Sequence, residues 1–111
     1  MENIIFEYDD LDGFQEYLNS LPVKDSVKLL QVISLIEEYG ILQAQKMEWT
    51  KKLEKNLYEI RSKRGSNIQR VIYFRVVDNR YVITHGFTKK QQKTPKKEIE
   101  KGKRVRRNYL D

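Results

Sequence analysis

The sequence contains no cysteine, and its 111 residues include a single histidine, His85. Without cysteine the chain has no disulfide, no thiolate nucleophile and no cysteine-based zinc site, and one histidine is too few for a histidine-rich metal cluster. A glycine-rich phosphate loop, a Ser-His-Asp set and a paired-carboxylate motif are also missing. We therefore expect neither a metal ion nor a cofactor.

Long hydrophobic runs are missing too, since no apolar segment approaches the roughly 18 residues that a membrane span needs. The acidic start MENIIFEYDD lacks the charged-then-apolar layout of a signal peptide. We therefore expect a soluble cytoplasmic protein with no membrane partner. The chain length suits one domain with a single core, and seven Tyr, four Phe and one Trp supply its large apolar groups. A single domain over residues 1–111 is the prediction.

Charge is abundant, but its two signs are unevenly distributed along the chain. The net charge is +6, yet residues 1–56 hold six lysines and eleven acidic residues, a net charge of −5. Residues 89–107 hold ten Lys or Arg against Glu98 and Glu100, a net charge of +8. Such a positive field attracts phosphate backbones through counterion release. It is also compatible with a merely soluble basic surface.

Hydrophobic periodicity predicts a strand over residues 3–8, then helices over residues 11–21 and 24–39 that form an αα-hairpin. Asp9, Asp10 or Asp12 is expected to cap the first helix. Asp25 is predicted to cap the second helix, and Gly40 is predicted to end it. The mixed pattern of residues 41–56 predicts an irregular or short helical segment.

After residue 56 the hydrophobic period changes to two. Residues 57–62, 67–77 and 80–87 are rich in Ile, Val, Tyr and Phe, and the links KRGS and DN are turn sequences. Strands with links this short pair as an antiparallel meander. The N-terminal strand is expected to join the same sheet, with the helix pair packed on one face.

The basic C-terminal region is predicted to form a loop and then a helix over residues 95–109. Thr94 is expected to cap this helix, with Pro95 at its first position. A narrow apolar stripe would dock the helix, and Gly102 is a weak point beyond which we expect fraying. The predicted fold class is therefore α+β, with an N-terminal strand and helical hairpin packed on a mainly antiparallel sheet and a C-terminal helix.

Arginine, lysine and tyrosine are concentrated on and next to the predicted sheet. Fixed cations suit phosphoryl transfer at a phosphodiester, because they stabilise charge on the nonbridging oxygens without a metal. If an RNA 2'-hydroxyl is the nucleophile, the protein must also align it and remove its proton. Arg70 lies between Ile68 and Ile72, a costly place for a cation without a partner, and this favours a functional role.

Other residues in this region have structural as well as functional interpretations. Glu59 and Arg61 share a strand face and are interpretable as an exposed ion pair. His85 is either a satisfied core histidine or a proton-transfer group. Tyr73 and Tyr81 are more often core residues than stacking platforms.

The segments LYEIR, RVIYF and HGFTKKQQKTPKKEIE, in this order, are similar to a known protein family. Together with the predicted element order they resemble the RelE/ParE superfamily of type II toxins, in particular its HigB-like, phage Gp49-like branch. The resemblance implies a metal-independent, ribosome-dependent mRNA endonuclease that inhibits translation through attack of the RNA 2'-hydroxyl on the adjacent phosphate. It also implies inhibition by a cognate antitoxin, commonly one with a helix-turn-helix domain, and contact with operator DNA only through that antitoxin.

The resemblance also implies roles for individual residues. Arg70 matches the arginine that contacts the scissile phosphate in RelE-type toxins, and Lys89 and Lys90 lie near the position of a second basic catalytic group. RelE has a tyrosine near the start of its last helix, where this chain has Thr94 and Pro95, so the general base stays open. The candidates for the base are His85, Glu59, Lys89 and Lys93. The predicted contacts to RNA or the ribosome are Arg61, Tyr73, Arg75, Lys96, Lys97, Lys101, Lys103, Arg104, Arg106 and Arg107.

Two alternatives belong to other functional classes. A ParE-like gyrase inhibitor has the same fold, acts by binding a protein and needs no catalytic set. A noncatalytic nucleic-acid-binding or ribosome-binding module would use only the basic face. An antitoxin would either cover that face or hold the acidic helix pair and act by its bulk.

Overall fold

The computed structural model describes residues 3–90 and 92–110. Within them the elements are, in chain order, β1 (Ile5–Tyr8), α1 (Leu11–Asn19), α2 (Val23–Lys46), β2 (Thr50–Glu54), β3 (Leu57–Arg64), β4 (Asn67–Val77), β5 (Arg80–Lys89) and α3 (Lys96–Leu110). The strands form one sheet of order β1-β5-β4-β3-β2, in which β1 is parallel to β5 and the other neighbours are antiparallel. The predicted α+β fold is confirmed. No helix in the described residues is long and apolar enough to cross a membrane.

Side chains alternate along β4 and divide the core into two parts. Val71 and Tyr73 are buried on the face that α1 and α2 cover. Ile72 and Phe74 are buried on the opposite face, where α3 packs. The sheet therefore has a helix layer on each side, and α3 covers only part of its own side.

Residues 41–56 differ in part from the sequence prediction. Gly40 has φ 86° and ψ 171°, which is not a helical conformation, so the helix predicted to end at Gly40 does end there, and a short helical segment continues α2 to Lys46 beyond this bend. A strand, β2, follows and pairs with β3 at the edge of the sheet. Lys51 and Lys52 are exposed on β2. Charged side chains are typical of edge strands, and they weaken the alternating pattern that would have indicated this one.

The predicted caps of α1 and α2 have different outcomes. Asp10 caps α1, because its side chain accepts a hydrogen bond from the backbone N–H of Gly13 at 2.9 Å. The predicted capping role of Asp25 is wrong, since α2 begins without a side-chain cap. Asp25 is buried and accepts hydrogen bonds from Arg64 at 3.0 Å and Asn67 at 2.9 Å. It therefore fastens α2 to the turn between β3 and β4.

The start and middle of α3 also correct the prediction. The backbone carbonyl of Pro95 accepts the first hydrogen bonds of the helix, so Pro95 precedes α3. The hydroxyl of Thr94 does not cap the helix but binds Glu59. The expected fraying beyond Gly102 is wrong, because the helix continues to Leu110, one residue past its predicted end. A Cβ at Gly102 would lie 2.8 Å from Cγ2 of Ile72, so this glycine permits close approach of α3 to the sheet.

Candidate functional site

An open cleft of about 620 Å³ lies where β3 and β5 end and β4 begins. Five of its lining side chains are cationic and none is acidic. A concave surface with one sign of charge concentrates the field on a bound ligand of opposite charge. The lining residues are Arg61, Lys63, Ser66, Asn67, Ile68, Arg70, Thr88, Lys89, Lys90 and Gln92.

Strand register brings the cations of this cleft together. Arg61 on β3 pairs with Arg70 on β4, and Lys89 on β5 pairs with Ile68 on β4. The period of two places Arg70 on the same face as Ile72, which is the face that α3 covers. Like charges directly opposite each other on neighbouring strands destabilise the sheet, and a nearby anion offsets this repulsion.

The side chain of Arg70 is the most buried of the five cationic side chains in the cleft. Its side chain is 7% exposed, and its Nη1 donates a hydrogen bond to the carbonyl of Gln69 at 3.0 Å. Its Nε lies 3.3 Å from Oε2 of Glu59, which is an ion-pair distance, but the angle does not satisfy a hydrogen bond. Burial lowers the pKa of Arg70 and Glu59 opposes that shift. Arginine titrates so far above neutrality that the guanidinium stays charged.

Glu59 is the anion that compensates these cations, and its side chain is only 2% exposed. Its Oε1 accepts a hydrogen bond from Thr94 at 2.5 Å, and its Oε2 lies 3.8 Å from Nε of Arg61 as well as close to Arg70. The interpretation of Glu59 and Arg61 as an exposed pair is therefore wrong for Glu59. Because both carboxylate oxygens are engaged, the geometry favours a structural role for Glu59 over a general base.

The three candidate lysines differ in their surroundings. Burial lowers the pKa of Lys89, and the charge of Arg70 lowers it further, while Glu59 acts in the opposite direction. Lys90 is exposed and lines the cleft with Lys89. Lys93 is exposed and is not among the lining residues. Lys89 is therefore the candidate base that combines a place in the cleft with a depressed pKa.

His85 is buried, and both of its ring nitrogens have partners. Nδ1 lies 2.7 Å from the hydroxyl of Thr84, and Nε2 lies 3.0 Å from Oε1 of Glu98 on α3. Burial lowers the pKa of His85, and the charge of Lys101 lowers it further, while the hydrogen bond to the carboxylate of Glu98 raises it. The contacts favour the interpretation of a satisfied histidine that joins β5 to α3. Among the described residues no cluster of acidic and histidine side chains is placed to hold a metal ion.

Two predicted RNA contacts lie away from the cleft. Tyr73 is fully buried on the opposite face of the sheet, where its hydroxyl is bonded to Thr50, so its prediction as an RNA contact is wrong. Arg75 is exposed near the other end of β4 and donates to the carbonyl of Asp78 at 2.8 Å. Of the three strand residues predicted to contact RNA, which are Arg61, Tyr73 and Arg75, Arg61 lines the cleft.

The cations of α3 fall into two groups. Lys103 and Arg106 lie 3.9 Å and 3.6 Å from carboxylate oxygens of Glu54, and Arg106 also donates to the carbonyl of Lys55 at 2.6 Å. These two cations fasten α3 to the turn between β2 and β3. The other predicted cations are exposed and form a surface that we call the α3 ridge. Its residues are Lys96, Lys97, Lys101, Arg104 and Arg107.

The structure adds residues that the sequence interpretation missed. Lys63 lines the cleft, and its spacing of two from Arg61 would have indicated a shared strand face. Asn67, the first residue of β4, and the loop residue Gln92 also line the cleft, but a polar residue at a strand end or in a loop carries no local signal of such a position. Thr94 was interpreted as a cap, and only the folded chain brings its hydroxyl to Glu59.

Comparison with known proteins gives one family. The family described as "Phage derived protein Gp49-like (DUF891)" matches residues 16–107 of the chain. This range contains every residue that lines the cleft and all of the α3 ridge. A search of curated proteins gives no match.

Proposed function

The chain belongs to the phage-derived Gp49-like family of toxin-like proteins, and from this premise we propose that it is the toxin of a type II toxin-antitoxin system. We propose a ribosome-dependent mRNA endonuclease of the RelE and HigB type as its activity. The observation that carries this proposal is the buried guanidinium of Arg70 in a cleft lined by five cations and no acid. Such an environment favours the extra negative charge of a phosphoryl-transfer transition state.

In the proposed reaction the 2'-oxygen of one nucleotide attacks the adjacent phosphorus, and the bond from phosphorus to the 5'-oxygen breaks. The products are a 2',3'-cyclic phosphate and a free 5'-hydroxyl. Arg70 holds the nonbridging oxygens of this phosphate, and Arg61 and Lys63 hold neighbouring phosphates of the chain. The cations are fixed before the substrate arrives, so little reorganisation accompanies the reaction.

Two proton transfers complete the proposed reaction. Lys89 accepts the proton of the 2'-hydroxyl, because burial and Arg70 depress its pKa and so increase its neutral fraction. The ammonium of Lys90, which lines the same cleft, donates a proton to the leaving 5'-oxygen. The α3 ridge binds the ribosomal RNA that presents the mRNA.

Substitution of Arg70 tests the endonuclease directly. Arg70→Ala is expected to abolish growth arrest and to lower mRNA cleavage by about 10² to 10³, the usual effect of removing one group that stabilises an oxyanion. Mapping of mRNA 5' ends after induced expression measures the cleavage. The matched control is Arg75→Ala, which removes an exposed arginine from the other end of the same strand.

Persistence of both cleavage and arrest in Arg70→Ala would contradict the proposed mechanism. DNA damage and blocked supercoiling, without mRNA cuts, would instead identify a gyrase inhibitor. Binding of the antitoxin should remain in Arg70→Ala, which shows that the variant is folded.

The proposed partner is a cognate antitoxin with a helix-turn-helix domain, which alone contacts operator DNA. An exposed apolar stripe on α2, separate from its buried side, is the surface that we propose for binding of this partner. Val23, Val27 and Leu30 are 78%, 47% and 42% exposed, and their spacing puts them on one side of the helix. A groove of about 540 Å³ runs beside Val27 and Leu30. Exposed apolar stripes of this kind mark protein interaction sites.

An amphipathic helix of the antitoxin is the proposed occupant of this groove. Residues 1–56 carry a net charge of −5, and DNA-binding domains are basic, so the two surfaces are electrostatically complementary. Since α2 packs on the sheet face opposite the cleft, an antitoxin bound here leaves the cleft open. It then inhibits by its bulk, which prevents entry into the ribosome.

Co-expression with the product of the adjacent gene tests this surface. Leu30→Asp should prevent neutralisation of toxicity and weaken binding at least about tenfold, because it places a charge against an apolar helix face. Gln43→Asp, at an exposed position beyond the bend of α2, is the control. Unchanged binding by Leu30→Asp, together with loss of binding in Lys89→Glu, would show that the antitoxin covers the cleft instead.

A further inference from the structure

Thr94 connects the start of α3 to Glu59, the buried carboxylate beside Arg70 of the cleft. Its hydroxyl donates a hydrogen bond to Oε1 of Glu59 at 2.5 Å, although the two residues are 35 positions apart in the chain. The other oxygen of that carboxylate, Oε2, lies 3.3 Å from Nε of Arg70. A continuous polar path therefore runs from the loop before α3, through β3, to Arg70 on β4.

Glu59 has two guanidinium groups competing for one oxygen. Nε of Arg61 lies 3.8 Å from Oε2, only slightly farther than Nε of Arg70. The terminal torsion of a glutamate is broad and roughly two-fold, so packing alone does not hold a carboxylate in one orientation. A hydrogen bond to Oε1 removes this freedom and keeps Oε2 beside Arg70.

Arg70 depends on that orientation because it has few other partners. Its Nε is buried and makes no hydrogen bond, and Nη1 is bonded to a backbone carbonyl. If the carboxylate turned toward Arg61, the guanidinium of Arg70 would lose its nearby counterion. A buried cation without a counterion moves toward solvent, which here means a displaced phosphate-binding group.

We propose that Thr94 is a positioning residue whose hydroxyl fixes the carboxylate of Glu59 and thereby holds the guanidinium of Arg70 in place for the scissile phosphate. This proposal rests on the proposed endonuclease function, in which Arg70 contacts that phosphate. Thr94 also ends the loop that supplies Lys90 and Gln92 to the cleft wall. The same hydrogen bond therefore anchors the loop to Glu59, beside Arg70 of the cleft.

The test compares Thr94→Val, which keeps the shape of the side chain but removes its hydroxyl, with Thr94→Ser, which keeps the hydroxyl. Thr94→Val should lower the single-turnover cleavage rate on saturating ribosome complexes by about ten- to a hundredfold, the range expected when a catalytic group is misplaced by about 1 Å. The dissociation constant for the ribosome should stay unchanged, and Thr94→Ser should restore most of the rate. The control is Ser26→Ala, which removes a hydroxyl bonded to the carbonyl of Leu18 at 2.7 Å, away from the cleft.

Magnetic resonance of the arginine Nε–H groups supplies a readout that does not require cleavage. The Arg70 signal is identified by its loss in Arg70→Lys, and it should shift and exchange faster with water in Thr94→Val, but not in Thr94→Ser or Ser26→Ala. A wild-type rate and an unchanged Arg70 signal in Thr94→Val would overturn the proposal, as would equal rate losses in Thr94→Val and Ser26→Ala. If the wild-type protein does not cleave mRNA but Thr94→Val still moves the Arg70 signal, the endonuclease is excluded and the positioning of Arg70 by Thr94 stands.

Discussion

At the residue scale, Arg70 and Glu59 form a buried ion pair whose members depend on each other. Their side chains are 7% and 2% exposed. Removing one partner of such a pair leaves a charge without compensation in a low-dielectric environment, whereas replacing both partners with apolar residues is often neutral. The pair therefore holds a fixed cation at the cleft, which is the group proposed to bind phosphate, and adds little net stability of its own.

A double-mutant cycle measures this dependence. Glu59→Leu should lower the free energy of unfolding by about 3 kcal/mol, because it leaves Arg70 buried without its counterion. The double variant Glu59→Leu with Arg70→Met should be more stable than Glu59→Leu alone. Urea denaturation gives both values. A double variant as unstable as the sum of the single variants would show that the two residues do not interact.

The proposed base, Lys89, predicts how cleavage depends on pH. Its pKa is lowered from the ordinary value of 10.5, and its neutral form, which accepts a proton, increases as pH rises toward that lowered pKa. The single-turnover rate should therefore increase with pH and level off below the ordinary lysine pKa. Lys89→Arg, which keeps the positive charge but does not deprotonate, should be slow and nearly independent of pH.

Lys93→Arg is the matched control for this measurement, since Lys93 is exposed and lies outside the cleft lining. It should retain the pH profile of the wild-type protein. A rate that still rises with pH in Lys89→Arg would assign the base to another group. A flat profile in Lys93→Arg would identify Lys93 as that group.

At the element scale, α3 lies close to the sheet because Gly102 has no side chain. A Cβ there would lie 2.8 Å from Ile72 and 3.3 Å from Leu57. Alanine is usually more favourable than glycine inside a helix by about 1 kcal/mol. At this position the steric overlap should outweigh that advantage.

Gly102→Ala is therefore expected to lower the free energy of unfolding by about 1–3 kcal/mol, the usual cost of overpacking a core. Asn108→Ala, at an exposed position of the same helix, should instead raise it by a few tenths of a kcal/mol. Chemical denaturation of the two variants gives the comparison. If Gly102→Ala were more stable than the wild-type protein, α3 would have moved away from the sheet without a loss in the free energy of unfolding.

The elements themselves were predictable to different degrees. Strands β3, β4 and β5 have long apolar alternation and turn sequences between them, and α1 and α2 have helical spacing, so local pattern was sufficient. The edge strand β2 was missed because Lys51 and Lys52 are exposed and a charged edge resembles a loop in sequence. Asp25 was misinterpreted because the same residue type caps helices and accepts buried hydrogen bonds.

At the scale of the whole molecule, charge and apolar surface are separated by the sheet. The cleft and α3 lie on one face, and α1 and α2, from the acidic half of the chain, lie on the other. This distribution places the surface proposed for RNA and the surface proposed for the antitoxin on opposite faces of the sheet.

The salt dependence of binding to single-stranded RNA tests the role of the α3 ridge. The logarithm of the association constant should fall linearly with the logarithm of salt concentration, with a slope of about 0.7 for each phosphate contact. Lys97→Gln with Arg104→Gln should reduce the slope by about 0.7 for each lost cation. The double variant Lys24→Gln with Lys46→Gln removes two exposed lysines of α2 and should leave the slope unchanged. If the two double variants changed the slope equally, the α3 ridge would not be a specific RNA-binding surface.

The sequence by itself determined the α+β class, the order of most elements and the separation of charge, because hydrophobic period and composition are local properties of the chain. It also indicated Arg70, since a cation between two isoleucines is unusual on a strand. Only the tertiary structure decided which cations share the cleft, that Glu59 is buried beside Arg70, and that Thr94 binds Glu59 across 35 residues. These properties depend on strand register and on the placement of α3, which are set by contacts between segments far apart in sequence.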